Sequence, residues 1–573
     1  MWSRKGGFGR LFLSGDTLLI ELFTALISIS WLMPNHYSPW LSAWGDGVAI
    51  AGLLLLLAAL IMRSDVKAAI SWQLLAITLL CCLIPCIQFA AGRIFYIGDV
   101  ALVILYVGLW FAAVMSGNLL VNACNQQDGI NWLMSSWAIA AVLSVAIALC
   151  QWTGAVDLGL YAADLPPGKR PFANVAQPNQ FNTLCFFGLC GLLVLYQHRR
   201  LGHISFGLSA ALLLTGMILS QSRTGWLQVI CLLLWGAINQ RRASLRFSKL
   251  QLVVCGLFFL MGTLALPIIS NFLMLPVERT LDSQIQTSVR FSYWYAMAHA
   301  LLEQPIWGYG WQQAGAAQMQ VALDQPAIGI YFAHSHNLIL DLLLWNGIPA
   351  GILITALLSW WFLARILGAS DPTVVWLLAA LGGWLIHSML EFPHEYAYFL
   401  IPVGLAMGAI DKVSTTEKRL IYLSRRTSAT CCAVLAVLFA LTAIEYISVE
   451  ENYRTQQLEV ARIGVPGLIT PVPELHLLTQ LKALLGIAHV DTHPSMTKQQ
   501  VESLREAAFR FGYPAILLRY SEALALNGDK EKAKEQMLIL RSMWGEKAYK
   551  QAKTQMNDRM LSKYPEVGSL NLP

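Results

Sequence analysis

Thirteen stretches of apolar sequence, each long enough to cross a lipid hydrocarbon core, decide what this chain can fold into. They fall near residues 17–34, 47–62, 70–91, 97–118, 131–152, 181–198, 204–221, 223–239, 250–270, 337–364, 373–390, 396–411 and 429–447, and a helical crossing needs about 17 to 25 residues. Backbone polar groups in lipid must be satisfied within the segment, so each run reads as a helix. The expected fold class is therefore all-α, a polytopic membrane helix bundle. Composition agrees, because 56% of the 573 residues are apolar and 13% charged, too little charge to solvate a globular surface of that size. Twenty tryptophans and eighteen tyrosines suit a protein with two membrane interfaces.

Charge gives the bundle a direction. With the N-terminus inside, the inner segments hold seventeen Lys and Arg residues, including Arg4, Lys5, Arg10, Arg63, Lys67, Arg199, Arg200, Arg241, Arg242, Arg246, Lys249, Arg365, Lys418 and Arg419. The outer loops before the tail hold six: Arg93, Lys169, Arg170, Arg223, Arg279 and Arg290. Such a bias predicts a cytoplasmic N-terminus, and the odd number of spans places residues 448–573 on the outer, non-cytoplasmic side. The basic N-terminus followed by an apolar run resembles a signal peptide, yet no small-residue cleavage site follows, so the first helix is expected to be retained. The formal charge of +6 comes from these short clusters and excludes nucleic acid as a partner. The eleven cysteines, Cys124 among them, lie in or beside apolar segments without metal-ligand spacing, so neither a disulfide framework nor a zinc site is expected.

Chemistry collects on the outer side. The loop 153–180 carries Lys169-Arg170-Pro171-Phe172-Ala173-Asn174-Val175-Ala176-Gln177-Pro178-Asn179-Gln180, whose guanidinium and amide groups can hold phosphate or sugar hydroxyls. Ser220-Gln221-Ser222-Arg223-Thr224-Gly225 forms a tight turn that confines a permanent cation near the headgroups, where it can meet an anion or snorkel. The long loop 271–336 holds an amphipathic stretch from Arg290 to His299, then Pro305-Ile306-Trp307-Gly308-Tyr309-Gly310, and ends in His334-Ser335-His336-Asn337 at the mouth of the tenth span. A His at a helix N-terminus is disfavoured as a cation and stays able to accept a proton, the state a general base needs. On a helix, two residues apart would point to nearly opposite sides, so one of the two histidines would face a substrate. Glu391 and Tyr396 lie in a short turn on the same side, where they could orient the base, bind an acceptor or cap helices.

In the tail, helical runs flank Phe511-Gly512-Tyr513-Pro514 and Asn527-Gly528-Asp529. They resemble tetratricopeptide-type helix pairs, to be read either as a small helical domain or as a partner-docking repeat. The expected division is a membrane-spanning region, 1–447, and an outer helical domain, 448–573.

Arg-Pro-Phe-Ala-Asn-x-x-Gln-Pro-Asn, Ser-x-Ser-Arg-Thr-Gly, Arg-x-x-x-Trp before Pro-x-x-Gly-x-Gly, and His-Asn-x-x-Leu-x-x-x-x-x-x-Gly-Ile-Pro together resemble the O-antigen ligase and polymerase superfamily. The first loop and the soluble tail are most similar to PglL-type O-oligosaccharyltransferases of bacterial protein glycosylation. The resemblance implies a GT-C-like ligase fold in the bacterial inner membrane. It also implies transfer of a preassembled oligosaccharide from undecaprenyl diphosphate to Ser or Thr of a periplasmic, pilin-like protein, without metal or other cofactor. Carried over, Arg223 and Arg290 would neutralise the diphosphate leaving group, and His336 would be the base with His334 in reserve. Arg170, Asn174, Gln177, Asn179, Glu391 and Tyr396 would contact donor or acceptor. An O-antigen ligase acting on lipid A core and a polymerase share this chemistry. A transporter is the rival from another class, but the spans hold few mid-membrane charges, show no inverted repeat, and keep their polar motifs on one side.

Overall fold

Each of the thirteen apolar runs lies on a helix of the computed structural model, which describes residues 15–63, 67–123, 126–275, 289–414, 420–461 and 470–565. Arg4, Lys5, Arg10, Cys124, Arg279, Lys418 and Arg419 lie outside the described residues. The helices are α1 Gly15–Ile29, α2 Ala43–Arg63, α3 Trp72–Ala90, α4 Ile97–Ala123, α5 Gln126–Thr153, α6 Pro178–Gln197, α7 His203–Leu219, α8 Arg223–Arg242 and α9 Lys249–Phe272. Then come α10 Arg290–Glu303, α11 Ala314–Gln320, α12 Leu338–Gly368, α13 Pro372–Ser388, α14 Ala397–Val413 and α15 Arg425–Val460. The tail adds α16 Thr479–Ile487, α17 Lys498–Phe511, α18 Pro514–Leu526 and α19 Lys530–Lys563. Eight of the described helices are long and apolar enough to cross a membrane.

Two units divide these elements. One comprises Met1–Thr78, Tyr106–Ile285 and Ser359–Phe439; the other Leu79–Leu105, Gln286–Leu358 and Ala440–Pro573. The segment that contains α10 and α11 belongs to the same unit as residues 448–573.

In the first unit α6 is the central helix, buried continuously from Gln180 to Tyr196. Trp31, Trp137, Phe187 and Phe399 form an aromatic knot there, with Trp137 and Phe187 stacked at 4.9 Å and Trp31 edge-on to Phe187 at 6.3 Å. The α9 helix turns Val253, Leu257, Met261 and Ile268 outward, an apolar face suited to lipid. Helix starts obey local chemistry: Ser248 and Gln251 close a reciprocal capping box on α9, and the Asp371 carboxylate accepts from Thr373 and Val374 N–H ahead of α13.

Polar contacts sort to opposite ends of this unit. One end holds the basic clusters, where Arg246 lies over the Tyr196 ring at 4.1 Å, Arg200 pairs with Asp128 at 2.6 Å, and Arg365 pairs with buried Asp411 at 2.6 Å. A short antiparallel ribbon, β1 Ala68–Ser71 with β2 Leu420–Leu423, is the one element type the sequence reading lacks. Asn118 stitches it in place, its amide bonding both N–H and C=O of Ala69 at 2.9 and 2.8 Å. The other end carries the loop 153–180, the 220–222 turn and the 389–396 turn.

In the second unit the helices α17, α18 and α19 form successive hairpins. Thr497 and Gln500 cap α17, Gly512 ends it in the left-handed conformation, and Pro514 starts α18. Their core, built on Leu504, Ala508, Leu517, Met537, Leu540 and Met556, also contains Met319 and Ala322 from the α11 segment. The opposite side of that segment, Ala317 and Val321, packs with Tyr293, Met297 and Ala300 of α10 and with Leu344 of α12.

Candidate active site

The first unit assembles one cluster of motif residues. Arg170 is buried, and its Nη1 donates to the carbonyls of Ser220 and Gln221 at 3.1 and 3.3 Å, which fixes the turn that delivers Arg223 as the first residue of α8. Ser222 Oγ donates to Asn179 Oδ1 at 2.8 Å, and Asn179 Nδ2 donates to buried Glu391 Oε1 at 2.9 Å. Arg170, Asn179, Ser222 and Glu391 therefore brace the start of α8 from both sides. Gly225 explains the last position of Ser-Arg-Thr-Gly: a Cβ there would lie 2.4 Å from Asn182 Oδ1 on α6. The close approach is locked by Asn182 Nδ2 donating to Gln228 Oε1 at 2.6 Å.

Asn174 is spent internally. Both its amide hydrogens are used, on the carbonyls of Leu32 and Tyr161 at 2.8 and 2.9 Å, and its Oδ1 accepts from Ala163 N–H at 3.0 Å. Gln177 is different, because its Oε1 is buried with no hydrogen-bond partner among the described residues; an acceptor so placed is available to a ligand donor. Tyr396 stacks between Phe392 and Tyr398 and shares a hydrogen bond with Gln180, while Tyr398 Oη donates to Gln180 Oε1 at 3.0 Å. The Gln-Pro-Asn-Gln segment is thereby tied to the 389–396 turn.

The second unit holds the histidines and Arg290. Neither His334 nor His336 is helical, since α12 begins at Leu338 and Asn337 caps it, its Oδ1 accepting from Ile339 and Leu340 N–H at 3.1 Å each. The two histidines are therefore not related by helical spacing, and the His-Ser-His turn sets both directions. His336 sits at φ +57°, a conformation that costs a residue with a Cβ about 1 to 2 kcal/mol and persists where surroundings impose it. Those surroundings are explicit. Trp294 Nε1 donates to Ser335 O at 2.8 Å, Ser335 N–H donates to buried Asp341 Oδ1 at 2.7 Å, and Ser335 Oγ donates to Asn337 O at 2.9 Å. Arg290 precedes Trp294 by one helical turn, so the anchored end of α10 is the end that carries the guanidinium.

The two histidines differ in environment. Burial, the neighbouring His336 and the Arg510 guanidinium lower the pKa of His334 to about 3, so His334 stays neutral at any physiological pH. Arg510 reaches this region from α17 and is held by a bidentate pair with buried Asp99, its Nε and Nη2 at 2.8 to 3.0 Å from the carboxylate oxygens. The His336 ring meets Phe332 edge-on at 5.3 Å. Sequence reasoning passed over Trp294, Ser335, Asp341 and Arg510. Trp294 stands in the Arg-x-x-x-Trp motif, but only folding shows its partner.

A separate cleft of about 600 Å³ opens in the same unit, lined among others by Tyr96, Lys482, Ile487, His493, Gln500 and Glu506. Its lining mixes apolar and polar side chains, as ligand clefts do. Among the described residues no group of three or more His, Cys, Asp or Glu side chains is arranged to hold a metal ion.

Comparison with known proteins bears on both units. Residues 208–355 match the family described as O-antigen ligase, and residues 375–557 match the one described as virulence factor membrane-bound polymerase, C-terminal. A general O-oligosaccharyltransferase of Acinetobacter baylyi (strain ATCC 33305 / BD413 / ADP1) is 27% identical over 543 residues, 91% of this chain and 92% of the relative. A ComP-specific O-oligosaccharyltransferase of the same organism is 25% identical over 518 residues, 89% and 92% of the two chains.

Proposed function

We propose that this chain, which resembles the O-antigen ligase and polymerase superfamily, is an O-oligosaccharyltransferase. It transfers a preassembled oligosaccharide from undecaprenyl diphosphate to Ser or Thr hydroxyls of a periplasmic, pilin-like protein. The observation that carries this reading is the His-Ser-His turn, held in a left-handed conformation by Trp294 from one side and Asp341 from the other. The similarity to two O-oligosaccharyltransferases runs over about nine-tenths of each chain, tail included, and favours a protein acceptor over the lipid A core of a ligase or the second repeat unit of a polymerase.

In this mechanism His336 removes the proton of the acceptor hydroxyl as its oxygen attacks the anomeric carbon. The bond from that carbon to the diphosphate oxygen breaks, and the electron pair leaves with undecaprenyl diphosphate. Arg223, at the N-terminus of α8, and Arg290 receive the developing negative charge. Gln177 and Asn179 contact donor or acceptor, and the 600 Å³ cleft receives a segment of the acceptor protein. The reaction as proposed draws its cations from side chains and uses no metal. It takes place on the periplasmic side of the bacterial inner membrane, in a chain with thirteen crossings and a periplasmic tail.

The test is expression beside a lipid-linked glycan pathway and candidate pilins in a host lacking any ligase. Intact-protein mass spectrometry should show a glycan-sized increment on the pilin, with no ladder on a lipopolysaccharide gel. His336→Ala should lower turnover at least about a hundredfold, with Arg223→Ala and Arg290→Ala each costing a comparable factor. Ladders without modified protein would make the chain a lipid ligase or polymerase, and full activity of His336→Ala would remove the base.

A further inference from the structure

The segment 314–332 is hydrogen-bonded to the tail and in ring contact with the His-Ser-His turn. On the tail side Gly329 N–H donates to Ser542 O at 2.9 Å and Ser542 Oγ donates to Ala322 O at 2.7 Å. The Tyr331 ring stacks on Trp544 at 5.7 Å and meets Tyr513 edge-on at 6.1 Å. Trp544 in turn donates through Nε1 to Gly512 O at 2.8 Å. The seat is shaped for that ring, since a Cβ on Gly512 would lie 2.7 Å from Tyr331 Cε2, and the residue is already at φ +60°.

On the other side the next residue does the complementary work. Consecutive residues of extended chain face opposite ways: Tyr331 enters the tail, and Phe332 packs on Tyr293 at 4.5 Å and on His336 at 5.3 Å. The stretch is zipped to α11 by Gln318, whose Nε2 donates to Ile330 O at 2.8 Å and whose Oε1 accepts from Phe332 N–H at 3.0 Å. Displacing Tyr331 therefore displaces Phe332, and with it the wall against which the His336 ring rests.

We propose that the C-terminal helices form the template for the His-Ser-His turn, with Trp544 and Tyr331 as positioning residues for His336. The proposal rests on the reading of His336 as the base. It makes the tail a working part of the transfer centre in addition to any role in holding an acceptor. The physical demand is strict, because a misplacement of about 1 Å at a reacting group can cost up to about a hundredfold in rate.

Trp544→Ala, Trp544→Phe and the milder Ser542→Ala are compared in the full-length protein. Two readouts are needed: hydrogen exchange of the amides from 329 to 341, and steady-state transfer with the lipid-linked donor varied. Trp544→Ala should speed exchange in that stretch, Gly329 first, and lower kcat about tenfold or more with donor KM unchanged. Trp544→Phe should restore both. Ser542→Ala should give the same pattern at about twofold to fivefold, and it carries the test if Trp544→Ala does not fold. Unchanged exchange at 329–341, unchanged kcat, or a fall that appears only in KM overturns the proposal. Exchange does not depend on chemistry: a loosened turn and slowed transfer beside a fully active His336→Ala would sink the base and leave the template standing.

Discussion

At Gly225 one missing methyl group sets how close two helices come. With Asn182 Oδ1 2.4 Å from where a Cβ would be, Gly225→Ala must push α8 from α6 or turn the Asn182 amide out of its bond with Gln228. The variant should unfold in detergent roughly 5 °C below the parent, and the same substitution made on an Asn182→Ala background should cost less, because the obstructing oxygen is gone. A double-mutant cycle read by thermal unfolding measures that coupling; strictly additive losses would show that the contact is not the cause. The sequence marks Gly225 as part of a motif but cannot say what the glycine is for, since its partner lies on another helix. Arg170 and Asn174 show the converse. Their donor groups suggest ligand contacts, and in the fold Arg170 donates to the carbonyls of Ser220 and Gln221 and Asn174 to those of Leu32 and Tyr161. Donor-rich side chains look alike in sequence whether their acceptors arrive with a ligand or with the chain.

Among the elements, α12 is a helix with a fault built in. Gly347 interrupts it at φ +77° and ψ +169° just before Pro349, and a Cβ there would lie 2.1 Å from Ile306 O. The break frees the carbonyls of Leu344 and Trp345 to accept from Tyr309 and Gly310 N–H at 2.7 and 3.2 Å, so the Pro-x-x-Gly-x-Gly segment docks on the fault. Gly347→Ala is expected to lower the unfolding temperature by more than Gly225→Ala does, as it adds a disfavoured backbone angle to a collision with main chain. Differential scanning fluorimetry of the pair settles the order. The helices themselves were legible, since a run of apolar residues in lipid has no alternative to helix. Their ends were less so: α15 continues to Val460, past the expected span end at 447, because nothing between those residues breaks a helix. The β1–β2 ribbon and the two-faced packing of α11 rest on long-range partners and leave no periodic trace.

Across the whole molecule, the charge count in the sequence and the sorting of polar contacts in the first unit agree, as basic clusters gather at one end of the helices and the amide-rich motifs at the other. If those ends are the two membrane faces, a membrane-impermeant maleimide should label Leu160→Cys in spheroplasts of a cysteine-free background, and Arg200→Cys only after lysis. Both positions are open to solvent, Leu160 at 93% and the Arg200 side chain at 57%; reversed labelling would invert the topology and remove the periplasmic site. The grouping of Leu79–Leu105, Gln286–Leu358 and Ala440–Pro573 in one unit also bears on how such enzymes can be recombined. A tail grafted from a relative at residue 448 would arrive without the partners of Trp544, Gly512 and Asp99-bound Arg510. A chimera that keeps the three stretches together preserves every one of those contacts, so the part that can be exchanged intact is discontinuous in sequence.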